Sequence, residues 1–295
     1  MTVASTAVVT ADARGYSAQS GPGAGGSTAY MTGGGGGYGG NGGRGGRGDG
    51  GYINPLAPGG VSYGSITQPL DLGSGDGGGS YAGRGGGAIR LIVAGTLTVD
   101  GELTADGAAA TCCSGYGNGG GSGGSVYITA GTVAGVGVIS ANGGAGYNDL
   151  GHDFDYGGGG AGGRIAIYYD ADTFSGTMAA RGAWGYGRGG AGTIFTKSSS
   201  QAGGDLLLEN GGSPDAATPL LGVPVLDSLT LTSLGHASLA EEWTIGQLSI
   251  SGDTNFTIGA SLTVTDALIV ASSTLAAGAG DLTVTGDLTL QDTGT

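Results

Sequence analysis

The amino-acid sequence predicts an all-β fold, namely a right-handed parallel β-helix, or solenoid, with glycine-rich insertions. Three observations support this prediction. Short runs of alternating apolar residues recur at a fixed period, which is typical of stacked strands. The sequence has no long apolar stripe with the 3.6-residue period of a helix. Glycine accounts for 74 of the 295 residues and is concentrated between the apolar runs, where it favours turns and close backbone contacts.

The first region, residues 1–203, is predicted to be a glycine-rich solenoid with repeats of about 37–39 residues. Its strand landmarks Ile89, Val126 and Ile165 lie 37 and 39 residues apart, and a partial copy occurs at 9–13. The glycine that follows the second strand of each repeat recurs with nearly the same spacing, at Gly107, Gly143 and Gly182. One such repeat cannot bury its apolar face alone, so the copies are expected to stack.

A long insertion at 21–84 interrupts these repeats, and it is mostly glycine in its middle part. Within it Tyr38, Asn41, Arg44 and Arg47 are spaced by three residues, which is the period of a polyproline II helix. Two conformations are compatible with this pattern. Either the glycine-rich arms of this insertion are ordered polyglycine II helices that pack against one another along edges made only of glycine, or the insertion is a flexible linker.

After residue 203 the composition changes. Residues 204–224, which contain three of the 7 prolines, are predicted to form a joint. Residues 225–295 are predicted to form a three-sided β-helix with coils of about 20 residues. In this part the strand centres recur at intervals of 19, 20 and 20 residues, at Leu229, Leu248, Leu268 and Leu288. A second set, Thr244, Thr263 and Thr283, recurs in step with it.

Charge and composition restrict the partners of the chain. The formal net charge is -14, and Lys197 is the single lysine, so nucleic acid is not an expected partner because phosphate binding needs a basic surface. No apolar stretch is long enough for a transmembrane helix. The abundance of Thr, Ser, Gly and Asn with almost no Lys predicts an extracellular or cell-surface location.

A resemblance to known proteins rests on three glycine-rich segments that each lead into a predicted strand, namely 85–91, 123–128 and 159–169. They resemble the glycine-rich repeats of large secreted or surface-anchored prokaryotic proteins. The C-terminal coils are similar to the β-helical stalks of adhesins and autotransporter-like passengers. This resemblance implies a parallel β-solenoid outside the cell with a structural or adhesive role, and it implies no catalytic residue.

Two groups of residues are candidates for special chemistry. Asp149, Asp153 and Asp155 crowd one loop, where closely spaced carboxylates could bind calcium, the one cofactor the sequence suggests; the alternative is a solvated acidic turn. Cys112 and Cys113 are adjacent, so they could form a vicinal disulfide, bridge two subunits or stay reduced. Oxidising surroundings favour a disulfide.

The function that we predict from the sequence is a non-enzymatic, extracellular structural protein. It would be a subunit of a surface fibre, sheath or adhesive stalk that associates head to tail with itself, and surface glycans are the other partner that the sequence suggests. One alternative is a β-helix that binds or cleaves polysaccharide, using paired acids such as Asp170 with Asp172 or Glu241 with Glu242. Another is an ice-binding solenoid, suggested by the Thr-x-Thr triplets at 230–232, 263–265 and 283–285.

Overall fold

The computed structural model describes residues 1–28, 32–47, 56–79, 81, 83–111, 117–147, 155–223 and 225–291. These residues form nineteen strands and no helix, so the all-β prediction is confirmed. A helix that could cross a membrane is accordingly not found in the described part of the chain.

The strands of the first region, up to the turn at 199–204, are β1 (Thr2–Val3), β2 (Val8–Thr10), β3 (Gly46–Arg47), β4 (Ala88–Val99), β5 (Glu102–Thr104), β6 (Ser125–Gly135), β7 (Val138–Ser140), β8 (Asp155–Tyr156), β9 (Arg164–Phe174), β10 (Thr177–Ala179) and β11 (Thr193–Ser198). Those that follow are β12 (Asp205–Leu220), β13 (Val225–Leu239), β14 (Trp243–Ser251), β15 (Asn255–Ile258), β16 (Leu262–Ala271), β17 (Thr274–Ala277), β18 (Leu282–Val284) and β19 (Asp287–Gln291).

Thirteen strands belong to one large sheet, which follows the order β1-β4-β6-β9-β11-β12-β13-β14-β16-β18. β15 pairs with β13 and β17, and β19 pairs with β16. All pairs in this sheet are parallel except β11 with β12, which is antiparallel. A parallel sheet of four strands, β10-β7-β5-β2, and the antiparallel pair β3-β8 complete the set. The mostly parallel architecture therefore agrees with the predicted class.

The strand register joins the residues that the sequence repeats equate. In the large sheet Ile89 pairs with Val126, and Val126 pairs with Ile165. In the four-stranded sheet the row is Val9, Leu103, Ile139 and Met178. Register is fixed because a shift by one residue would turn every apolar side chain to the opposite face of its strand.

The C-terminal strands are aligned in the same way. Leu229, Leu248, Leu268 and Leu288 form one row. Thr244, Thr263 and Thr283 form another. The predicted joint at 204–224 contains β12, which pairs with β11 on one side and β13 on the other. It is the place where the strand direction of the large sheet reverses.

Two buried clusters form the core. The first contains Val126 and Ile165 of the large sheet together with Leu103 and Ile139 of the four-stranded sheet, so it lies between these two sheets. The second contains the apolar residues of β12 to β16 and extends to Phe195 of β11. Burial of such side chains is the main source of stability, at about 25 cal/mol per Å² of apolar surface.

Candidate functional site

The glycine-rich segments that connect the strands form a bundle held together by backbone hydrogen bonds. We call it the glycine bundle, and its segments are 15–28, 32–47, 56–63, 73–79, 83–87, 105–111, 117–124, 141–147, 157–163 and 180–192. The hydrogen bonds within it follow a regular pattern in which an amide and the third amide after it donate to the same neighbouring segment.

Segment 157–163 shows this pattern over its whole length. Successive amides donate to three different neighbours in turn, two of which run parallel to the segment and one antiparallel. The donor and acceptor pairs are Gly158–Gly33, Ala161–Gly36, Gly159–Gly187, Gly162–Gly190, Gly157–Tyr147, Gly160–Gly144 and Gly163–Ala141, at 2.7–3.0 Å. A period of three residues is that of the polyproline II helix, whose backbone has no internal hydrogen bonds.

The close approach of these backbones requires glycine. A methyl group added at Gly160 would lie 2.5 Å from the carbonyl carbon of Gly121 and closer still to its oxygen. Both partners are backbone atoms, so neither can move aside by rotating a side chain. The interior of the bundle is consequently made of main chain, with few side chains between the segments.

Arg164 lies where the glycine bundle meets the large sheet, and it is 3% exposed. Its guanidinium donates through Nε and Nη2 to the carbonyl oxygen of Tyr63 at 3.0 and 2.9 Å, and through Nη1 to Oγ1 of Thr193 at 3.1 Å. The guanidinium carbon also lies 5.6 Å from the ring centre of Tyr38. Burial lowers the pKa of Arg164 to about 10, so the side chain is still charged at neutral pH.

Tyr38 completes this junction from the side of the bundle. It is fully buried, its hydroxyl is 2.6 Å from Oγ of Ser125, and its ring centre is 4.8 Å from that of Tyr63. Burial raises the pKa of Tyr38 to about 12. The hydroxyl of Ser125 donates in turn to the carbonyl of Asp71. These contacts join the arms of the insertion to β6 and β9, so we assign the cluster a positioning role.

Sequence reasoning missed Arg164, although a signal for it exists. Across the parallel strands Arg164 belongs to a row that also contains Ala88, Ser125 and Thr193. The other three side chains of this row are smaller and uncharged. An arginine in a row of small residues departs from the repeat, and such a departure can mark a side chain that reaches another part of the molecule.

A second feature of the repeats is a ladder of hydrogen bonds from side chains to backbone amides. Oδ1 of Asp12 accepts from the amide of Asp106 at 2.7 Å, and Oδ1 of Asp106 accepts from the amide of Asn142 at 2.6 Å. Oδ1 of Asn142 accepts from the amide of Arg181 at 2.9 Å. Burial, together with the neighbouring Asp12, raises the pKa of Asp106, while the amide of Asn142 opposes that shift.

Replacing Asn142 by alanine is expected to lower the free energy of unfolding by about 1 kcal/mol, because the amide of Arg181 loses its acceptor. Urea unfolding of the purified variant measures this. Asp281→Ala is a suitable control, since Asp281 is exposed and surface substitutions change stability by at most about 0.5 kcal/mol. Equal stability of the two variants would show that the ladder contributes nothing.

The structure does not test the two sites predicted from the sequence. Asp149, Asp153, Cys112 and Cys113 lie outside the described residues, and only the backbone of Asp155 is described, in β8. Calcium binding and a disulfide therefore stay predictions.

The four acids considered for polysaccharide cleavage, Asp170, Asp172, Glu241 and Glu242, are all exposed.

A groove of about 410 Å³ crosses β4, β6, β9 and β11. Its lining includes Ile92, Thr129, Tyr168 and Lys197, which are consecutive partners across the four strands, together with Asp170. The groove thus combines an aromatic ring with hydroxyl, amino and carboxylate groups.

The threonine triplets do not all face one another. The triplet 263–265 lies beside 283–285. The triplet 230–232 instead lies beside Ser249, Ile250 and Ser251, and the next strand continues this row with Ile269 and Val270. The regular threonine array that ice binding would need is therefore interrupted along that row.

Comparison of the chain with protein-family models, curated proteins and solved structures gave no match. The resemblance to glycine-rich surface proteins consequently stays an expectation, and the function is argued from the geometry alone.

Proposed function

We propose that this protein is a non-enzymatic, extracellular structural protein, a subunit of a surface fibre, sheath or adhesive stalk. The observation that carries the proposal is the glycine bundle, whose segments are bonded in three directions and seated on a large parallel sheet. Such an arrangement gives a rigid body from repeated short elements, because each added repeat extends the sheet and the bundle together.

The finer description of the fold belongs to the same proposal. The period-three hydrogen bonding supports polyglycine II arms, since that conformation leaves every amide free to bond to a neighbour. The parallel repeats support a right-handed β-solenoid, because connections between parallel strands of one sheet are almost always right-handed.

Self-association is supported by the two edges of the large sheet. At one edge Leu288 and Leu290 of β19 are 58% and 72% exposed, and among the described strands β19 pairs with β16 alone. At the other edge β1 has β4 as its one partner within the described part of the chain. Unpaired strand edges template the addition of further strands. Contact between unlike edges does not close on itself, so it would produce a head-to-tail filament.

The test is to replace Leu288 and Leu290 together by lysine, which places charge on the exposed edge of β19. We expect the wild type to grow in mass with concentration by light scattering and the variant to stay monomeric, because lysine blocks edge pairing. Val136→Lys is the matched control, since Val136 is 70% exposed in the turn between β6 and β7, two strands that lie inside their sheets and away from both edges. A wild type that is monomeric at every concentration would contradict self-association.

Polysaccharide binding is a second candidate, and the groove across β4, β6, β9 and β11 favours it. Tyr168 offers ring surface to a sugar face, while Thr129, Lys197 and Asp170 offer donors and acceptors for hydroxyl groups. Surface glycans would then be the ligand of an adhesive stalk. The test compares how two variants bind a soluble cell-surface polysaccharide. Tyr168→Ala should bind it more weakly than the wild type, while Tyr186→Ala, at an exposed site elsewhere, should bind it equally well. If both variants bind equally well, the groove is excluded as the binding site.

A further inference from the structure

Asp76 is a carboxylic acid enclosed in the glycine bundle. It is 0% exposed, and neither of its carboxylate oxygens has a hydrogen-bond partner among the described residues. A buried polar group without a partner calls for a physical explanation, because transferring it from water is unfavourable and transferring its charged form far more so.

The backbone of Gly78 and Gly119 lies close against Asp76, whose side chain has no solvent-exposed surface. A methyl group at Gly78 would lie 2.8 Å from Oδ2 of Asp76 and 2.6 Å from Oδ1 of Asn118, and one at Gly119 would lie 3.0 Å from Cβ of Asp76. The amide of Asp76 donates to Gly83, and its carbonyl accepts from Gln19. Four segments of the bundle therefore meet at this residue.

No charged side chain of the described residues compensates Asp76. Burial raises its pKa from 3.8 to about 8. The amides of Gly78, Gly119 and Asp76 itself lie close enough to the carboxylate to oppose this shift in part, although none of them meets it with the geometry of a hydrogen bond. The titratable residues on the described segments packed around it are turned elsewhere: Asp12, Arg14, Tyr16, Arg44 and Arg84 are exposed, and Tyr38 contacts Ser125 and Arg164.

We propose that Asp76 is a proton-dependent latch of the glycine bundle, which closes around the neutral carboxylic acid and opens at the corner formed by 76–79 and 117–119 when Asp76 ionises. The latch is a property of the bundle itself and does not depend on self-association. It would make the bundle most stable in acid and weaken it progressively toward alkaline pH.

The direction of this pH dependence follows from the protonation of Asp76 in the folded and in the unfolded chain. Between the ordinary pKa of 3.8 and the raised pKa of about 8, the unfolded chain has released the proton that the folded chain retains. The folded state is then the one that binds more protons, so stability falls as pH rises across this window. Above about pH 8 both states are ionised and the loss is complete.

The experiment compares the wild type with Asp76→Asn, in which an amide of the same shape replaces the neutral acid and does not titrate. The equilibrium constant for unfolding of each protein is measured by urea unfolding in the presence of a chelator. The constant of the wild type divided by that of Asp76→Asn is expected to rise by up to tenfold per pH unit between about pH 4 and 8 and then to level off. Asp281→Asn, at an exposed carboxylate, should give a flat ratio.

Two results would overturn the proposal. One is a flat ratio for Asp76→Asn over the whole range. The other is a pH dependence that disappears when calcium is added, since that would make Asp76 a metal ligand. Should Asp76→Asn fail to fold, carbon-13 NMR titration of the Asp76 carboxyl in the folded wild type decides the matter. A midpoint above about pH 6 supports the latch, and a midpoint below that value refutes it.

Discussion

Replacing Gly160 by alanine is expected to unfold or open the glycine bundle, with a loss of about 3 kcal/mol or more in the free energy of unfolding. The added methyl group would overlap the carbonyl of Gly121, and both segments are fixed by hydrogen bonds to further neighbours. Relief of the overlap would therefore break several backbone hydrogen bonds at once. Thermal unfolding followed by circular dichroism measures the effect as a drop in Tm on the order of 10 °C.

Gly79→Ala provides the matched control for this experiment. Gly79 belongs to the same bundle, but a methyl group added there meets nothing within 4 Å. Its amide, which donates to Oδ1 of Asn118, is kept in alanine. Tm should therefore change little, or rise slightly because alanine reduces the entropy of the unfolded chain. Equal losses in the two variants would show that close backbone contact does not hold the bundle together.

Replacing Arg164 by methionine should have the second largest effect, a loss of about 2–4 kcal/mol. Methionine fills much of the same space but offers no donor to the carbonyl of Tyr63 or the hydroxyl of Thr193. Two buried acceptors would then lose their partner. The insertion, through Tyr38 and Tyr63, would also lose its side-chain contact with β9, which should appear as faster amide hydrogen exchange at 33–43 and 157–163.

The control for Arg164 is Arg90→Met. Arg90 also lies over an aromatic ring, that of Tyr127 at 5.7 Å, but its side chain is exposed. We expect a loss below about 1 kcal/mol for this variant. If Arg164→Met were as stable as the wild type, the buried guanidinium would contribute nothing net to the fold.

Strand positions and register could be predicted from the sequence because they depend on local alternation and on repetition. Ile89, Val126 and Ile165 occupy equal places in their repeats, and parallel stacking brings equal places together. The same reasoning aligned Thr244, Thr263 and Thr283. In both regions the apolar residues of a strand decide which face is buried, and that information is contained in a few consecutive residues.

The order of the glycine bundle could not be decided from the sequence. A glycine run has no apolar side chains, so the sequence does not indicate which segments will pack beside it. The packing depends on where the rest of the chain places each segment. Asp76 and Arg164 could not be placed for a related reason, because charged residues are almost always exposed and only contacts distant in sequence bury these two. The sequence draws attention to Tyr38 only through its three-residue spacing from Asn41, and its partner Arg164 lies 126 positions away.

The three directions of hydrogen bonding in the glycine bundle determine how the protein responds to force. An outer strand of a sheet is bonded on one side only, so pulling on it can break its bonds one after another. Segment 157–163 is bonded to neighbours on three sides, and drawing it out along its length shears three rows of bonds simultaneously. A stalk built in this way, as proposed for this protein, would resist tension and sideways load alike.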